Sequence, residues 1–356
     1  MKKNFWVVLL TTWMAALSAQ AEATFGAEFT FTNREMSNST ADENIVNSEE
    51  SEEYRDRMAE AVRELCDGCR VIRQQNSYGV DTYKVQYRDG FYFIIATDPG
   101  VVEVQTKPMT NSEIAANLQR MDRDLFGAAR AVGMRPVIGD NGGGGHIHIG
   151  FLSSVQGELL LMRNIIVDFA NHSEIASGVL ANDEMNAPPV SDLPKNRQAA
   201  LKRIIADVDA GRIRSTRVLA RRIQQEVYNY HSEGWEPPEK YQALNLSRLS
   251  GGWDDAEKTF EIRSLEAQRN ATEYLALTRL FEGRIEYLRH LNRPIPLEIP
   301  GKMSTTQKFK RFARYVAEAG LDFAEFRKMF RFEEQDLARQ ITEPAPFILC
   351  RRAMLF

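Results

Sequence analysis

This 356-residue chain is poor in cysteine and histidine, with three and five of them, and it contains no internal repeat and no low-complexity tract. So few cysteines exclude a disulfide-dense scaffold. Cys66 and Cys69 can close as a local bond, or one of them can pair with Cys350, and a zinc site would need a second ligand pair that the sequence does not offer. The pair follows a helical pattern without a thioredoxin-like βαβ context, which points to a structural bond or idle thiols. Long apolar runs are missing after residue 21. Before it, Lys2-Lys3, the apolar stretch Phe5 to Leu17 and Ala19-Gln20-Ala21 read as a secretory signal peptide over 1–21, shorter than the roughly 20 apolar residues a bilayer span needs. The expectation is an exported protein, periplasmic or extracellular, and not an integral membrane protein once the signal is cleaved. An excess of basic residues is missing too. Removing the signal takes two lysines and no acid, leaving 43 basic against 49 acidic residues, which argues against nucleic acid as a partner drawn by bulk charge.

What the chain does have is four stretches that alternate apolar with charged or metal-competent residues. They are Gly26-Ala27-Glu28-Phe29-Thr30-Phe31, Val101-Val102-Glu103-Val104-Gln105, Gly145-His146-Ile147-His148-Ile149-Gly150 and Thr259-Phe260-Glu261-Ile262-Arg263. Side chains two apart in a strand share a face. Glu28, Glu103, Gln105, His146, His148, Glu261 and Arg263 can therefore project from one side of a sheet. Ala27, Phe29, Phe31, Val102, Val104, Ile147, Ile149, Phe260 and Ile262 then pack against helices on the other. Gathering so many charges on a concave surface is costly unless a metal or an anionic ligand offsets them.

Periodicity predicts the remaining organisation. A polar, acidic loop over Thr32 to Glu53 leads into a helix with Tyr54, Met58, Ala61, Val62 and Leu65 inward. Strands around Val71–Arg73, Thr82–Tyr87, Phe91–Ile95 and Val101–Thr106, broken by Arg88-Asp89-Gly90 and Asp98-Pro99-Gly100, suggest an antiparallel meander. A helix follows over Asn111–Val132, capped near Thr110 or Asn111 and stopping at Gly133. Strands are then expected at Met134–Ile138, His146–Phe151, Ala243–Leu249 and Lys258–Leu265. Helices are expected at Gln156–His172, Lys195–Ala210, Ser215–Tyr230, Ala271–Leu291 and Ser304–Gln340. Strands early, helices late and two returning strands give an α+β fold, one sheet with helices behind it. The expected layout is a composite domain over 22–300 and a helical C-terminal part over 301–356. Arg212, Arg214, Arg217, Arg221 and Arg222 read as a solvated helix face, Phe281, Tyr287, Phe309, Phe312, Phe323 and Phe326 as helix-packing core. His172, His231 and His290 read as helix-end residues, with His172 satisfied by backbone.

Four elements in order, Gly26-x-Glu28, Asp98-Pro99-Gly100-Val101-Val102-Glu103, Gly142 to Gly145 before His146-x-His148, and Asn245 before Thr259-x-Glu261-x-Arg263, resemble the amidoligase-like carboxylate-amine ligases of the glutamine synthetase fold. The resemblance covers about residues 24–290. It implies a curved antiparallel sheet whose carboxylates and histidine hold divalent metal, Mg²⁺ or Mn²⁺, between the phosphates of ATP and a carboxylate substrate. By motif position Glu28, His146 and Glu261 would form one metal site, with Glu103 at a neighbouring one. Arg263 would steady the transferred phosphoryl or the substrate carboxylate, and His148 would lie near substrate. Gly143, Gly144 and Gly145 would let backbone N–H groups approach it.

One position departs from the pattern: the family's first strand reads Glu-x-Glu, and this chain has Glu28-Phe29-Thr30. That change and the exported address, where ATP is not maintained, leave a second expectation. It is an ATP-independent hydrolase in which one metal ion, Zn²⁺ included, acts on the amide links of cell-wall peptides, with Glu103 as general base and Arg263 on a substrate carboxylate. A third is a non-catalytic member of the fold that binds a peptide or another protein.

Overall fold

The computed structural model describes residues 22–39, 49–77, 79–98, 100–137, 144–176, 180, 187–228, 242–250 and 257–330. The expected signal segment, Gly142, Gly143, His231, Cys350 and everything past residue 330 lie outside the described residues.

The alternating stretches all become strands of one open sheet. Its strands are β1 (Phe25–Thr32), β2 (Cys69–Gln75), β3 (Asp81–Tyr87), β4 (Tyr92–Asp98), β5 (Val101–Thr106), β6 (Arg135–Pro136), β7 (His146–Gly150), β8 (Leu244–Asn245) and β9 (Thr259–Ile262). They lie in the order β2-β3-β4-β5-β1-β7-β9-β8, with β6 on β1, and each described pairing is antiparallel. The meander over β2 to β5 is as the turn residues imply: Gly90 and Gly100 take φ of +87° and +72°, a left-handed backbone that a side chain would strain. The sheet's middle is assembled from distant segments, because β1, β7 and β9 become neighbours only after the chain has returned twice.

The alternation sorts the two faces. Ala27, Phe29, Phe31, Val102, Val104, Ile147, Ile149, Phe260 and Ile262 are all at most 2% exposed. They pack on helices α1 (Glu49–Leu65), α2 (Asn111–Arg120), α3 (Leu159–Asn171), α4 (Thr216–Ile223), α5 (Ala271–Leu291) and α6 (Thr305–Glu318) and their neighbours. Phe29 meets Phe126 and Tyr274 edge-on at 5.0 and 5.3 Å. Burying a ring of this size stabilises by roughly 2 to 3 kcal/mol.

Several boundaries differ from the periodic reading, each for a local reason. Glu49 to Glu53 belong to the start of α1 instead of a loop, where their carboxylates suit the positive end of the helix dipole. Leu65, at the far end of the same helix, is 39% exposed and outside the core. Of the two expected caps it is Thr110 that serves, in a capping box with Glu113, and α2 then runs on through a π-helical stretch, Met121–Phe126. β7 ends at Gly150 because Phe151–Ser154 is already helical, with the Ser153 and Ser154 hydroxyls donating to the Gly150 carbonyl. β8 is two residues long: the Asn245 side chain accepts from the Ser247 N–H and opens a one-turn helix, Ser247–Ser250. The expected helix from Ser304 breaks after Glu318, where Gly320 takes φ +76°, and resumes as a 3₁₀ stretch, Phe323–Met329. Cys66 and Cys69 are bonded to each other between α1 and β2.

Behind the sheet, a buried ion network ties three helices together. Arg284 of α5 donates from Nε and Nη2 to Asp168 of α3, at 2.9 and 2.6 Å, and from Nη1 to Glu318 of α6. Its guanidinium lies over Tyr315 at 4.3 Å and Tyr287 at 4.6 Å. Glu174 takes His172 Nδ1 at 2.7 Å and Arg311 Nε at 3.1 Å. The His172 side chain is thus held by a carboxylate and not by backbone.

Candidate active site

Register brings the polar residues of β1, β5, β7 and β9 onto the open face. Glu28 stands opposite His146 on one side and Gln105 on the other, and His148 stands opposite Glu261. The side chains converge accordingly. Glu28 Oε2 lies 3.0 Å from His146 Nδ1, and Glu28 Oε1 lies 2.9 Å from His148 Nε2. Glu261 Oε1 lies 3.3 Å from His146 Nδ1 and 3.9 Å from His148 Nε2. One ligand atom from each of Glu28, His148 and Glu261 falls within 4.8 Å of the others, so the imidazole of this trio is His148, where the resemblance put His146. Arg263, just past the end of β9, donates from Nη1 to Glu261 Oε1 at 2.6 Å, and Gln105 donates to Glu103 Oε1 at 2.6 Å. Their side chains keep 6 to 14% exposure at Glu261, His148, Arg263, Glu28 and His146, so the cluster is nearly enclosed yet open at its top.

This placement shifts the titration of Glu28, Glu261, His148 and Glu103. Burial works to raise the Glu28 pKa, but the facing His148 and His146 overcome it and hold the carboxyl well below its usual range. Glu261 follows the same pattern: burial opposes ionisation, and His148, His146 and Arg263 prevail. Burial works against a charged His148, while Glu28 and Glu261 outweigh it and raise its pKa; Arg248, from the one-turn helix, acts in the opposite sense. Glu103 is different. Burial, then repulsion from Glu28 and Asp98, pushes it well above the usual carboxylate range.

A surrounding layer aims these groups. Asn245 donates from Nδ2 to Glu261 Oε2 at 2.7 Å, and Thr259 Oγ1 lies 3.2 Å from His148 Nδ1. Thr30, where the resemblance expects a second carboxylate, is buried and donates to the Gly144 carbonyl at 3.2 Å. Gln268 donates from Nε2 to the Gly145 carbonyl at 3.1 Å and to the Glu266 carbonyl at 2.9 Å. A Cβ at Gly145 would stand 2.1 Å from Gln268 Nε2, and one at Gly144 would stand 2.8 Å from His146 Nε2. These two glycines are therefore required for close packing. The Gly145 N–H is engaged by the Leu265 carbonyl at 3.0 Å, which corrects the expectation that it points at a ligand. Gly143 lies outside the described residues.

The donor chemistry fits a divalent cation: two carboxylates and an imidazole in mutual reach, with a further imidazole and Glu103 adjacent, suit Mg²⁺, Mn²⁺ or Zn²⁺. Sequence reasoning missed Gln268 and Arg248, whose neighbours carry no alternating pattern. Arg248 sits three residues after Asn245, and a helical turn opening at that asparagine would have been the signal.

No protein-family model matches this chain, and no curated protein does. Solved structures do. A structure of apo GmaS without ligand aligns over 95% of this chain and 74% of its own, at 13% identity and a TM-score of 0.42.

Proposed function

We propose that this protein is an exported, amidoligase-like carboxylate-amine ligase that uses ATP and a divalent cation to join an amine to a carboxylate. The observation that supports this reading is the meeting of Glu28, His148 and Glu261, from three separately folded strands, within 4.8 Å on an almost enclosed face. Glu28, His148 and Glu261 would hold the cation, with His146 beside them. The bound ion supplies positive charge to phosphoryl and carboxylate oxygens. Everything else falls to the chain's own side chains. Asn245 and Arg263 fix the two oxygens of Glu261, so that carboxylate cannot rotate away. Arg263 also places a planar guanidinium beside Glu261, a group whose geometry suits a substrate carboxylate. Glu103, whose proton is retained to higher pH than an ordinary carboxyl's, can exchange a proton with an attacking or departing amine.

Hydrolysis of an amide on the same site is the second reading, and Thr30 favours it. Its hydroxyl is a tether to Gly144, and among the described residues Glu28, His148 and Glu261 are the one group close enough to hold an ion. One ion suffices for hydrolysis. On either reading an exported enzyme of this kind would act on cell-wall peptides, which carry free carboxylates and amide links.

Calorimetric titration of the purified protein with Mn²⁺ and, separately, with ATP separates these readings. The ligase predicts that both bind and that Glu28→Ala abolishes the Mn²⁺ heat. Mn²⁺ without ATP moves the assignment to the hydrolase, and neither ligand leaves a non-catalytic binder. Unchanged Mn²⁺ affinity in both Glu28→Ala and His148→Ala would refute the site.

A further inference from the structure

The face that carries the centre continues outward over four more strands. Register places Gln105, Ile94, Lys84 and Ile72 in one row running from Glu28 to the last described strand, β2, and Tyr92, Gln86 and Arg70 in the adjacent row. Strands lie about 4.8 Å apart, so β2 stands roughly 19 Å from β1. The chemistry changes along the way. Next to the acidic centre the face is carboxylate and imidazole; farther out, the Lys84 ammonium sits over the Tyr92 ring at 4.3 Å. At the edge, Arg70, Ile72, Gln86 and Arg88 line a concavity of about 390 Å³.

Two properties of that concavity are unusual for this molecule. Ile72 is 43% exposed, one of three large apolar side chains uncovered among the described residues. Arg70 and Arg88 are exposed and form no ion pair among the described residues, although Arg73, Arg120 and Arg123 nearby pair with Asp81, Asp89 and Asp124. Two uncommitted guanidinium groups around an uncovered isoleucine complement a carboxylate on a partly apolar body. Its distance from the centre sets a length. An extended peptide advances about 3.3 Å per residue, so roughly 19 Å corresponds to about six residues.

We infer that this concavity is a subsite for a carboxylate of an extended acidic peptide whose reacting group lies over Glu28, His148 and Glu261, with the chain passing the Lys84–Tyr92 pair. The reacting end rests on the function proposed above; the anchoring end rests on Arg70 and Arg88 alone. The substrate class is then a peptide of about six residues or more with a carboxylate remote from the reacting group, and not a single amino acid.

The test is fluorescence anisotropy of a labelled hexapeptide ending in two glutamates with a free C-terminus. Two amide-capped controls carry glutamine or phosphoserine in place of the glutamates, and Mn²⁺ affinity is measured in parallel. The glutamate peptide should bind saturably, at least tenfold more tightly than the glutamine peptide, and more weakly as salt rises. In the double variant Arg70→Glu with Arg88→Glu its affinity should fall at least tenfold while Mn²⁺ affinity stays unchanged. Absent binding, equal affinity for the glutamine peptide, or an unaffected double variant would overturn the inference, and preference for phosphoserine would reassign the subsite to a phosphate ligand. Glu28→Ala distinguishes the two claims. Unaltered Mn²⁺ binding in that variant and in His148→Ala refutes the centre, while the arginine result stands or falls independently.

Discussion

Two clusters of buried charge lie on opposite sides of the same sheet, and they are built on opposite principles. Behind it, charges are matched: Asp168 and Glu318 share Arg284, and Glu174 takes Arg311 and His172. Arg284 and Asp168 keep only 6% and 4% exposure, and two tyrosine rings sandwich the guanidinium. On the open face, Glu28, Glu103 and Glu261 meet the Arg263 guanidinium, which bonds Glu261, and two imidazoles that bond Glu28. The first arrangement reaches solvent at its rim, where Glu318 and Arg311 are 31% and 38% exposed. The second has fewer guanidinium groups for its carboxylates, and its side chains at Glu28, His146, His148, Glu261 and Arg263 are 6 to 14% exposed. Density of ionisable groups therefore does not distinguish the two clusters, whereas the ratio of guanidinium groups to carboxylates does.

Mutations sharpen that contrast. The largest effect is expected from Arg284→Met, which takes the guanidinium from buried Asp168 and leaves it His172, at 3.7 Å, and Tyr315: about 3 kcal/mol of stability should be lost in urea denaturation, with Mn²⁺ affinity of the remaining folded protein unchanged. Glu28→Ala should do the reverse. Mn²⁺ affinity should fall at least a hundredfold, about 2.7 kcal/mol, while the urea midpoint of the metal-free protein falls less than in Arg284→Met, because losing the two imidazole bonds is partly offset by relief of the repulsion on Glu103. If Glu28→Ala unfolds the chain as Arg284→Met does, the two clusters are of one kind. Asn245→Ala sits between them, since it frees Glu261 without deleting a ligand; a 10- to 100-fold loss of Mn²⁺ affinity is expected by calorimetry.

The finest comparison is by pH. Burial works to raise the Glu174 pKa, but His172 and Arg311 hold it below its usual 4.5. A carboxylate with a depressed folded-state pKa contributes stability that is fully present above its unfolded value and is lost as pH falls through the folded one. Glu174→Gln should therefore flatten the fall of the urea midpoint below pH 4.5, and an unchanged acid limb would show that this network does not set acid stability.

The open face was legible in the sequence because a period of two is a local property. Once Phe29 and Phe31 point inward, Glu28 and Thr30 must point outward whatever the strand pairs with. The meander was legible for the same reason, through Gly90 and Gly100. What failed were boundaries and outer supports. The end of β8 depends on the Asn245 side chain capturing the Ser247 N–H, a competition between side chain and ladder that a run of apolar residues hides. The break after Glu318 had a sign in Gly320, but the apolar periodicity on both sides outweighed it. Gln268 was invisible because its role exists only when the segment after β9 lies against Gly145. The carboxylate partner of His172 left no mark either, since nothing in the sequence says that Glu174 turns back towards it.

Phe29 lies between Glu28 and Thr30 and is wedged among Phe126 and Tyr274, with no measurable exposure. Interiors packed in this way deform little. The frame behind the carboxylates is thus stiff, and a stiff frame selects ions by radius: it should favour small cations with strict bond lengths over Ca²⁺, whose longer and more variable coordination asks the surrounding oxygens to give way.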